Sequence, residues 1–378
     1  MNKRLGRWAR LLLIAAAVGA APGCYDRLDL EETTSPLLLG YDIDQHNNML
    51  VYISNPVFNK NGGSEAHEIV VEASTSREAR DQEDARSAGK IHGRKVQIVL
   101  VGQKMLQQAD WFRMLDVFFR DARNTLTPRV IAYNGPLSEI IYLDTKGQPM
   151  LPLLLREIVD TKSVRSETVK TTLQDMHRQL WEKGITPYIS QVAVVNGEVM
   201  LQGMALLDHQ GKYAAALDAR ETILLRMLQN EVKRPVSLTI AVPGEAKQGP
   251  FHTDELSFTT ETVNANVKTS YSDGRFQFDI RVDMRATLSE LLLPMREPYL
   301  NEPDLLKSFI AEQVRNQLND LVRKIKQHRI DPIGLGLYAR AYAYEPYKQV
   351  EDRWGEALAG ADIRIAVNAV LGSTGPVK

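Results

Sequence analysis

The residue whose type and position suggest a defined chemistry is Cys24, the only cysteine in the 378-residue chain. It follows Ala-Pro-Gly at the end of a leader in which four cations precede an apolar run at 11–21. Those cations are Lys3, Arg4, Arg7 and Arg10. This order is typical of a secretory signal peptide, which is removed from the mature protein. Because the apolar run is shorter than the ~20 residues of a membrane span, we predict that residues 1–23 export the chain without anchoring it.

A thiol at this position could hold the protein at a membrane in another way. A lipid joined to a cysteine contributes ~0.8 kcal/mol of membrane-binding free energy per buried methylene, and several acyl chains together hold a protein stably at the bilayer. The segment resembles a bacterial lipoprotein box, although such boxes usually carry Leu where this chain has Ala21. The resemblance implies that Cys24 becomes an N-acyl, S-diacylglycerol cysteine at the start of the mature protein. The alternative is an ordinary signal peptide that is cut nearby and leaves a free thiol.

Two other residue groups have a spacing that could bind an ion, but structural explanations fit them better. Asp42 and Asp44 lie on the same face of a predicted strand, yet Ca²⁺ prefers six to eight oxygen ligands, which favours a solvated strand end. Gly334 and Gly336 resemble part of a phosphate loop, but no predicted strand precedes them, so we interpret them as a tight connection after a helix. The seven histidines lack the i, i+4 spacing of a helical metal site.

The sequence lacks the motifs of the common enzyme classes. It contains no Walker loop and no HExxH, GxSxG or CxxC pattern, so hydrolase, nucleotide-binding and structural-zinc functions have no motif to support them. Lys plus Arg number 46 against 47 Asp plus Glu, and removal of the four leader cations takes the net charge from −1 to −5. That balance gives no support for nucleic-acid binding. We expect a non-enzymatic protein with no metal and no cofactor beyond the covalent lipid on Cys24.

The elements that must position these residues follow from hydrophobic periodicity. In the first half, apolar or alternating segments predict strands at 37–41, 49–58, 68–72, 94–101 and 127–133. Helical spacing of apolar residues predicts helices at 76–90, 105–120, 151–159 and 169–181. The alternation of strands with helices favours a mixed or α/β sheet covered by helices.

Turn and cap signals organise the next part of the chain. Asn-Gly at 196–197 lies between two apolar runs and is a strong hairpin signal. Ser-Asp-Gly at 272–274 predicts a second hairpin between long alternating strands. Asp218, with Glu221 three residues later, predicts a helix that begins with a capping box.

The last part of the chain is dominated by one amphipathic helix. It is predicted to begin at Asn301 and carries an apolar stripe over 305–325, which fits a face packed against the preceding antiparallel strands. Asp-Pro at 331–332 ends the helical pattern. A second helical region, 333–354, is expected to break at Pro346 and to lead into a closing strand at 362–370.

These elements indicate an α+β or mixed α/β protein of two to three domains, each a β-sheet packed against helices. We divide the chain into the signal peptide 1–23, a lipidated tether 24–36, an N-terminal α/β region 37–200 and a C-terminal α+β domain 201–378. The N-terminal region could contain two subdomains with a break near 134–150.

Three separated segments together resemble the Ger(x)C family, the lipoprotein subunit of nutrient germinant receptors in endospore-forming bacteria. The first is Gly-Cys-Tyr-Asp-Arg at 23–27, where the family usually has Trp in place of Tyr25, followed by Leu-Gly-Tyr-Asp-Ile-Asp at 39–44. The second is the hairpin at 192–207, which leads into the capped segment 217–222. The third is Asp-Pro-Ile-Gly-Leu-Gly at 331–336, followed by Trp354 and the closing strand. The segments occur in the family's order.

The resemblance implies a non-enzymatic subunit that is tethered by Cys24 to the outer face of the spore inner membrane. Its expected partners are the integral-membrane A and B subunits of the same receptor, together with the lipid bilayer. A second hypothesis, from another class, is a lipoprotein that captures a solute for a membrane transporter. It would require a deep cleft between two lobes and a measurable heat of binding for an amino acid or sugar.

Overall fold

The computed structural model describes residues 33–58, 64–86, 90–91, 95–144, 147–241, 255–291 and 303–372. The predicted signal peptide, Cys24 and most of the tether lie outside the described residues. Apart from a short parallel pair formed by β1 (Thr33–Thr34) and β5 (Lys90–Ile91), the described strands form two sheets. Within the described segments, no helix combines the length and apolarity that a membrane crossing requires.

The first sheet contains eight described strands in the order β10-β9-β8-β7-β6-β2-β3-β4. Their bounds are β2 Leu38–Ile43, β3 Met49–Phe58, β4 Ser64–Glu72, β6 Ile98–Gly102, β7 Arg129–Tyr133, β8 Tyr188–Val195, β9 Glu198–Leu207 and β10 Tyr213–Leu217. The four central strands β2, β6, β7 and β8 run parallel, and the flanking strands are antiparallel. Parallel strands need helical crossovers and are covered on both faces, which explains why β6 and β7 are buried along their whole length.

Because the four central strands are parallel, they all begin at one edge of the sheet. Their first residues are Leu38, Ile98, Arg129 and Tyr188. We call this edge the strand-start edge. The chain enters the sheet there through β2.

Helices cover both faces of the first sheet. One face packs against α1 (Ser76–Asp84), α2 (Gln103–Leu106), a 3₁₀ turn (Trp111–Leu115), α3 (Asp116–Arg120) and α6 (Leu173–Trp181). The other face packs against α4 (Leu137–Ile141) and α5 (Leu151–Val164). This arrangement confirms the predicted mixed sheet covered by helices.

The second sheet has four described strands in the order β11-β12-β13-β14. Their bounds are β11 Val236–Ala241, β12 Glu255–Ser272, β13 Arg275–Leu291 and β14 Asp362–Leu371. The long hairpin β12–β13 turns at Asp273 and Gly274, both with positive φ, as predicted. The closing strand β14 joins the sheet at its edge and runs parallel to β13.

The long helix α8 (Pro303–Gln327) covers the second sheet. At 1.5 Å per residue it is about 37 Å long. Its predicted stripe is buried from Leu306 to Ile325, although Leu305 remains 43% exposed and lies outside the stripe. The helix α7 (Ala219–Leu228) packs in the same core as Met204 and Leu206 of β9, so one apolar cluster connects both sheets.

Three predicted helices differ from the structure, two of them for reasons that the structure shows. The single helix predicted at 105–120 is wrong, because Asp110 takes a left-handed φ of 59° and separates α2 from the 3₁₀ turn. The helix predicted at 169–181 begins only at Leu173, since Thr172 and Asp175 form a capping box there. The helix predicted at 76–90 ends at Asp84.

The predicted break at Pro346 is also wrong. The chain breaks at Ala343, between α9 (Leu335–Tyr342) and α10 (Tyr344–Val350). Pro346 lies in the first turn of α10, where its missing N–H would have had no helical acceptor. A 3₁₀ turn (Glu351–Arg353) and α11 (Trp354–Ala359) complete this region.

Residue 200, the last residue of the predicted N-terminal region, lies inside a strand of the first sheet. This strand is β9, which pairs with β8 and β10. The first sheet therefore continues to Leu217, beyond the division that we predicted between 200 and 201.

Candidate functional site at the junction of the two sheets

A buried carboxylate, Asp331, lies where the two halves of the chain meet. Its side chain is fully buried and accepts three hydrogen bonds from the second half of the chain. Oδ1 accepts from the Gly334 N–H at 2.8 Å, and Oδ2 accepts from the Gly336 N–H and the Trp354 indole Nε1, each at 2.8 Å. These bonds fold the segment after α8 back onto α11.

The backbone of Asp331 bonds to the first half of the chain. The Thr186 N–H donates to the Asp331 carbonyl oxygen at 2.9 Å, and the Asp331 N–H donates to the Thr186 hydroxyl oxygen at 2.9 Å. Thr186 is fully buried and lies two residues before β8. We call Thr186, Asp331, Gly334, Gly336 and Trp354 the junction cluster.

Close backbone packing explains the glycines of the junction cluster. A Cβ on Gly336 would lie 2.6 Å from the Gly184 Cα and 2.8 Å from Trp354 Nε1. Gly334 has a φ of +85°, in the left-handed region that favours glycine. The prediction that this Gly-x-Gly is a tight connection after a helix is therefore confirmed.

The electrostatics of the junction cluster suit a structural role. Burial raises the pKa of Asp331, and the hydrogen bonds from Trp354 and the backbone N–H groups of 334–336 act in the opposite direction. Donors from the protein itself surround the carboxylate, and each of its oxygens already accepts at least one hydrogen bond. The cluster is thus suited to fixing the position of one half of the chain on the other.

Ion pairs surround the junction cluster at the surface. Arg340 of α9 forms two bonds to the Glu182 carboxylate, at 2.8 and 3.1 Å. Lys183 lies 2.8 Å from Glu351 and 2.7 Å from Asp352, and these two carboxylates raise its pKa. Because these groups are accessible to water, solvent screening keeps the contribution of each pair to stability small. Together with the bonds of Thr186, these pairs connect Glu182 and Lys183 to the second half of the chain.

The carboxylates considered as a cation site are engaged elsewhere. Asp42 is buried, and its side chain accepts from the N–H of Leu137 at 2.8 Å and of Ile43 at 2.9 Å. Asp44 accepts from the N–H of His46 at 2.7 Å and of Asn48 at 2.8 Å in a turn. The two side chains serve separate local structures, and the described residues contain no group of three His, Cys, Asp or Glu placed to hold a metal.

Both halves of the chain match protein-family models. Residues 26–194 match the model described as spore germination protein N-terminal domain, and residues 202–375 match the model described as spore germination B3/GerAC like, C-terminal. Together the two matches leave only short segments unmatched. The chain belongs to the Ger(x)C family.

Individual relatives are similar along most of this Ger(x)C chain. Spore germination protein KC of Bacillus subtilis (strain 168) is 19% identical, with 97% of each chain covered. Spore germination protein B3 of the same organism is 20% identical over 76% of this chain and 75% of its own. The crystal structure of the GerBC protein covers 88% of this chain and 96% of its own, at 16% identity and a TM-score of 0.56. At that identity, the likeness to GerBC shows the fold.

The segments that suggested the Ger(x)C resemblance now have structural explanations. In the first, Asp42 caps the start of α4, and a Cβ on Gly102 would lie 2.4 Å from the Asp42 Cγ. In the second, Asp218 and Glu221 form the predicted capping box, and Lys324 of α8 reaches the Glu221 carboxylate at 2.8 Å. The third segment supplies the junction cluster.

Sequence reasoning missed Thr186 and Gly184. Thr186 lies in a short connection between α6 and β8, and its partner Asp331 is 145 residues away. A lone threonine beside a proline carries no signal of such a partner. Gly184 is the residue in this segment whose type gives any signal, and a glycine after a helix indicates only where the helix ends.

Proposed function

We propose that this Ger(x)C protein is a non-enzymatic lipoprotein subunit of a spore nutrient germinant receptor. It acts through contacts with the integral-membrane A and B subunits at the outer face of the spore inner membrane. The observation that carries this proposal is the match to spore germination families along both halves of the chain. The position of Cys24 directly after the predicted signal peptide supports the anchor.

The structure supports a role in positioning. The two sheets share one apolar cluster and are bonded through the junction cluster, so the protein can present surfaces on both halves in a fixed relation. A buried acid such as Asp331 would be a candidate for catalysis only if substrate could reach it. Its hydrogen bonds to the surrounding segment give it a structural explanation instead.

The anchor is tested by Cys24→Ala in the native gene. We expect the variant protein to leave the membrane fraction, and spores to lose the response to particular nutrients while their dormancy is unchanged. Ala21→Leu is the matched control, because it moves the segment toward the usual lipoprotein box and should preserve anchoring. Germination that is unchanged with every nutrient in Cys24→Ala spores would refute the proposal.

The partners are tested by cross-linking the native protein in spore membranes and identifying the products by mass spectrometry. We expect cross-links to integral-membrane proteins of the receptor. Recovery of the protein without membrane partners, in spores that respond normally to nutrients, would contradict the proposed assembly.

A further inference from the structure

Three large aromatic side chains are exposed near the junction of the two sheets. Trp181 is 72% exposed, Tyr342 is 70% exposed and Tyr344 is 52% exposed. Arg340 lies two residues before Tyr342 and pairs with Glu182, the residue after Trp181, so the three side chains belong to one region of the surface. We call Trp181, Tyr342 and Tyr344 the aromatic patch.

Exposure of Trp181 is unusual for this chain. Of the tryptophans among the described residues, Trp111 is 3% exposed and Trp354 is fully buried, both in apolar cores. Trp and Tyr combine an apolar ring with a polar group, and they are enriched where one end is apolar and the other is wet, as at the surface of a bilayer. An exposed Trp beside two exposed Tyr therefore has the composition of a membrane-contacting surface.

The aromatic patch lies at the strand-start edge of the first sheet. The N–H of Leu173, at the start of α6, donates to the carbonyl of Pro128, directly before β7. Near the other end of α6, the Gln179 side chain accepts from the N–H of Tyr188, the first residue of β8. Both ends of α6 are thus bonded to this edge, and Trp181 is the last residue of the helix.

The chain from Cys24 enters at the same edge. Eight residues separate Cys24 from Thr33, and the nine Cα–Cα steps between these two residues span at most ~32 Å. The strands β2 and β8 are three positions apart in the sheet, which is ~14 Å at 4.8 Å per strand. A lipid on Cys24 and the aromatic patch can therefore contact the same bilayer.

We propose that the aromatic patch lies in the headgroup region of the bilayer when Cys24 is anchored, so that the strand-start edge faces the membrane. This inference rests on the proposed lipidation of Cys24. The size of the patch favours lipid over a protein partner: with ~200 Å² per aromatic side chain, its exposed area is about 400 Å². A stable protein interface needs ~800 Å² on each partner.

Fluorescence quenching in vesicles tests the inference with the full lipidated chain. The protein is reconstituted into phosphatidylglycerol and phosphatidylcholine vesicles whose acyl chains carry bromine, a short-range quencher of tryptophan. The mature chain contains Trp111, Trp181 and Trp354, of which the first and third are buried in protein. We expect brominated lipid to remove most of the emission that Trp181 contributes, as measured from the difference between wild type and Trp181→Phe.

A second pair of variants tests the tyrosines with Trp181 as the reporter. We expect Tyr342→Ser combined with Tyr344→Ser to weaken quenching of Trp181. Tyr142→Ser is the matched control, because Tyr142 is 56% exposed and directly follows α4, whose first residue bonds to Asp42 near the opposite end of β2. Equal quenching in the double variant and the control would show that the tyrosines do not contribute, and would overturn the patch as defined.

The outcomes separate this inference from the proposed function. If the protein fails to float with the vesicles, lipidation of Cys24 and the membrane-facing edge are both refuted. If it floats but Trp181 is not quenched, the anchor stands and the membrane-facing edge is refuted. Protection of Trp181 only in the presence of receptor subunits would then assign the aromatic patch to a protein partner.

Discussion

The junction cluster makes a quantitative prediction for Asp331→Asn. The carboxylate accepts three hydrogen bonds, whereas the amide of Asn has one acceptor oxygen and one NH₂ donor. In the orientation of lower energy, the amide oxygen of the variant accepts from the Gly336 N–H and the Trp354 indole, as Oδ2 does in the wild type. The amide nitrogen then faces the Gly334 N–H. That N–H loses its acceptor, and the new NH₂ group has none.

The expected cost follows from those two donors. A buried donor without an acceptor costs about 1–3 kcal/mol. Because both lie in a fully buried site, we expect Asp331→Asn to lower the free energy of unfolding by about 2–6 kcal/mol. The measurement is urea unfolding of the purified mature chain, followed by tryptophan emission, to which the buried Trp354 contributes.

The matched control is Asp320→Asn on the long helix α8. Asp320 is exposed and pairs with Arg323 at 3.0 Å, so its replacement should cost less than about 1 kcal/mol. If Asp331→Asn were no more destabilising than Asp320→Asn, our account of the junction cluster would be wrong.

Two further predictions concern packing and pH. Gly336→Ala should lower the free energy of unfolding by about 1–3 kcal/mol, because its Cβ would lie 2.6 Å from the Gly184 Cα. Gly360→Ala is the control, since the nearest atom to its Cβ would be 3.6 Å away. Equal urea midpoints for the two variants would contradict the prediction. Burial raises the pKa of Glu68 from 4.5 to about 7. The folded protein therefore retains a proton there that the unfolded chain has released, and this contribution to stability falls as the pH rises from 4.5 to about 7. Glu68→Gln should flatten that fall and stabilise the protein above pH 7; Glu72→Gln, at an exposed position of the same strand, is the control. A Glu68→Gln profile that runs parallel to that of the wild type would exclude this role for Glu68.

Short sequence patterns correctly predicted the hairpin turns and the capped helix start, because residues close in sequence determine these features. Asn196-Gly197 and Asp273-Gly274 both adopt the positive φ values that a tight hairpin turn needs. Asp218 and Glu221 complete a capping box within four residues. In each case the physical cause acts over a few residues, so the sequence pattern contains it.

Helix continuity was less predictable where distant segments intervene. The segment 105–120 has apolar residues at helical spacing, but the Trp111 indole donates to the carbonyl of Gly211, a residue 100 positions away. The chain divides at Asp110 and places Trp111 in the core. A contact of this separation outweighs the modest helical preference of the segment.

The sequence by itself determined the family, the hairpins and the amphipathic face of α8, and it predicts an export signal before the single thiol, because each depends on residue order within short spans. Tertiary structure decided the strand order of the first sheet, the parallel pairing of β14 with β13, and the bond between Thr186 and Asp331. It also decided which aromatic residues stay exposed at the strand-start edge. These features depend on backbone groups and surfaces that come together only when chain segments far apart in sequence pack against one another.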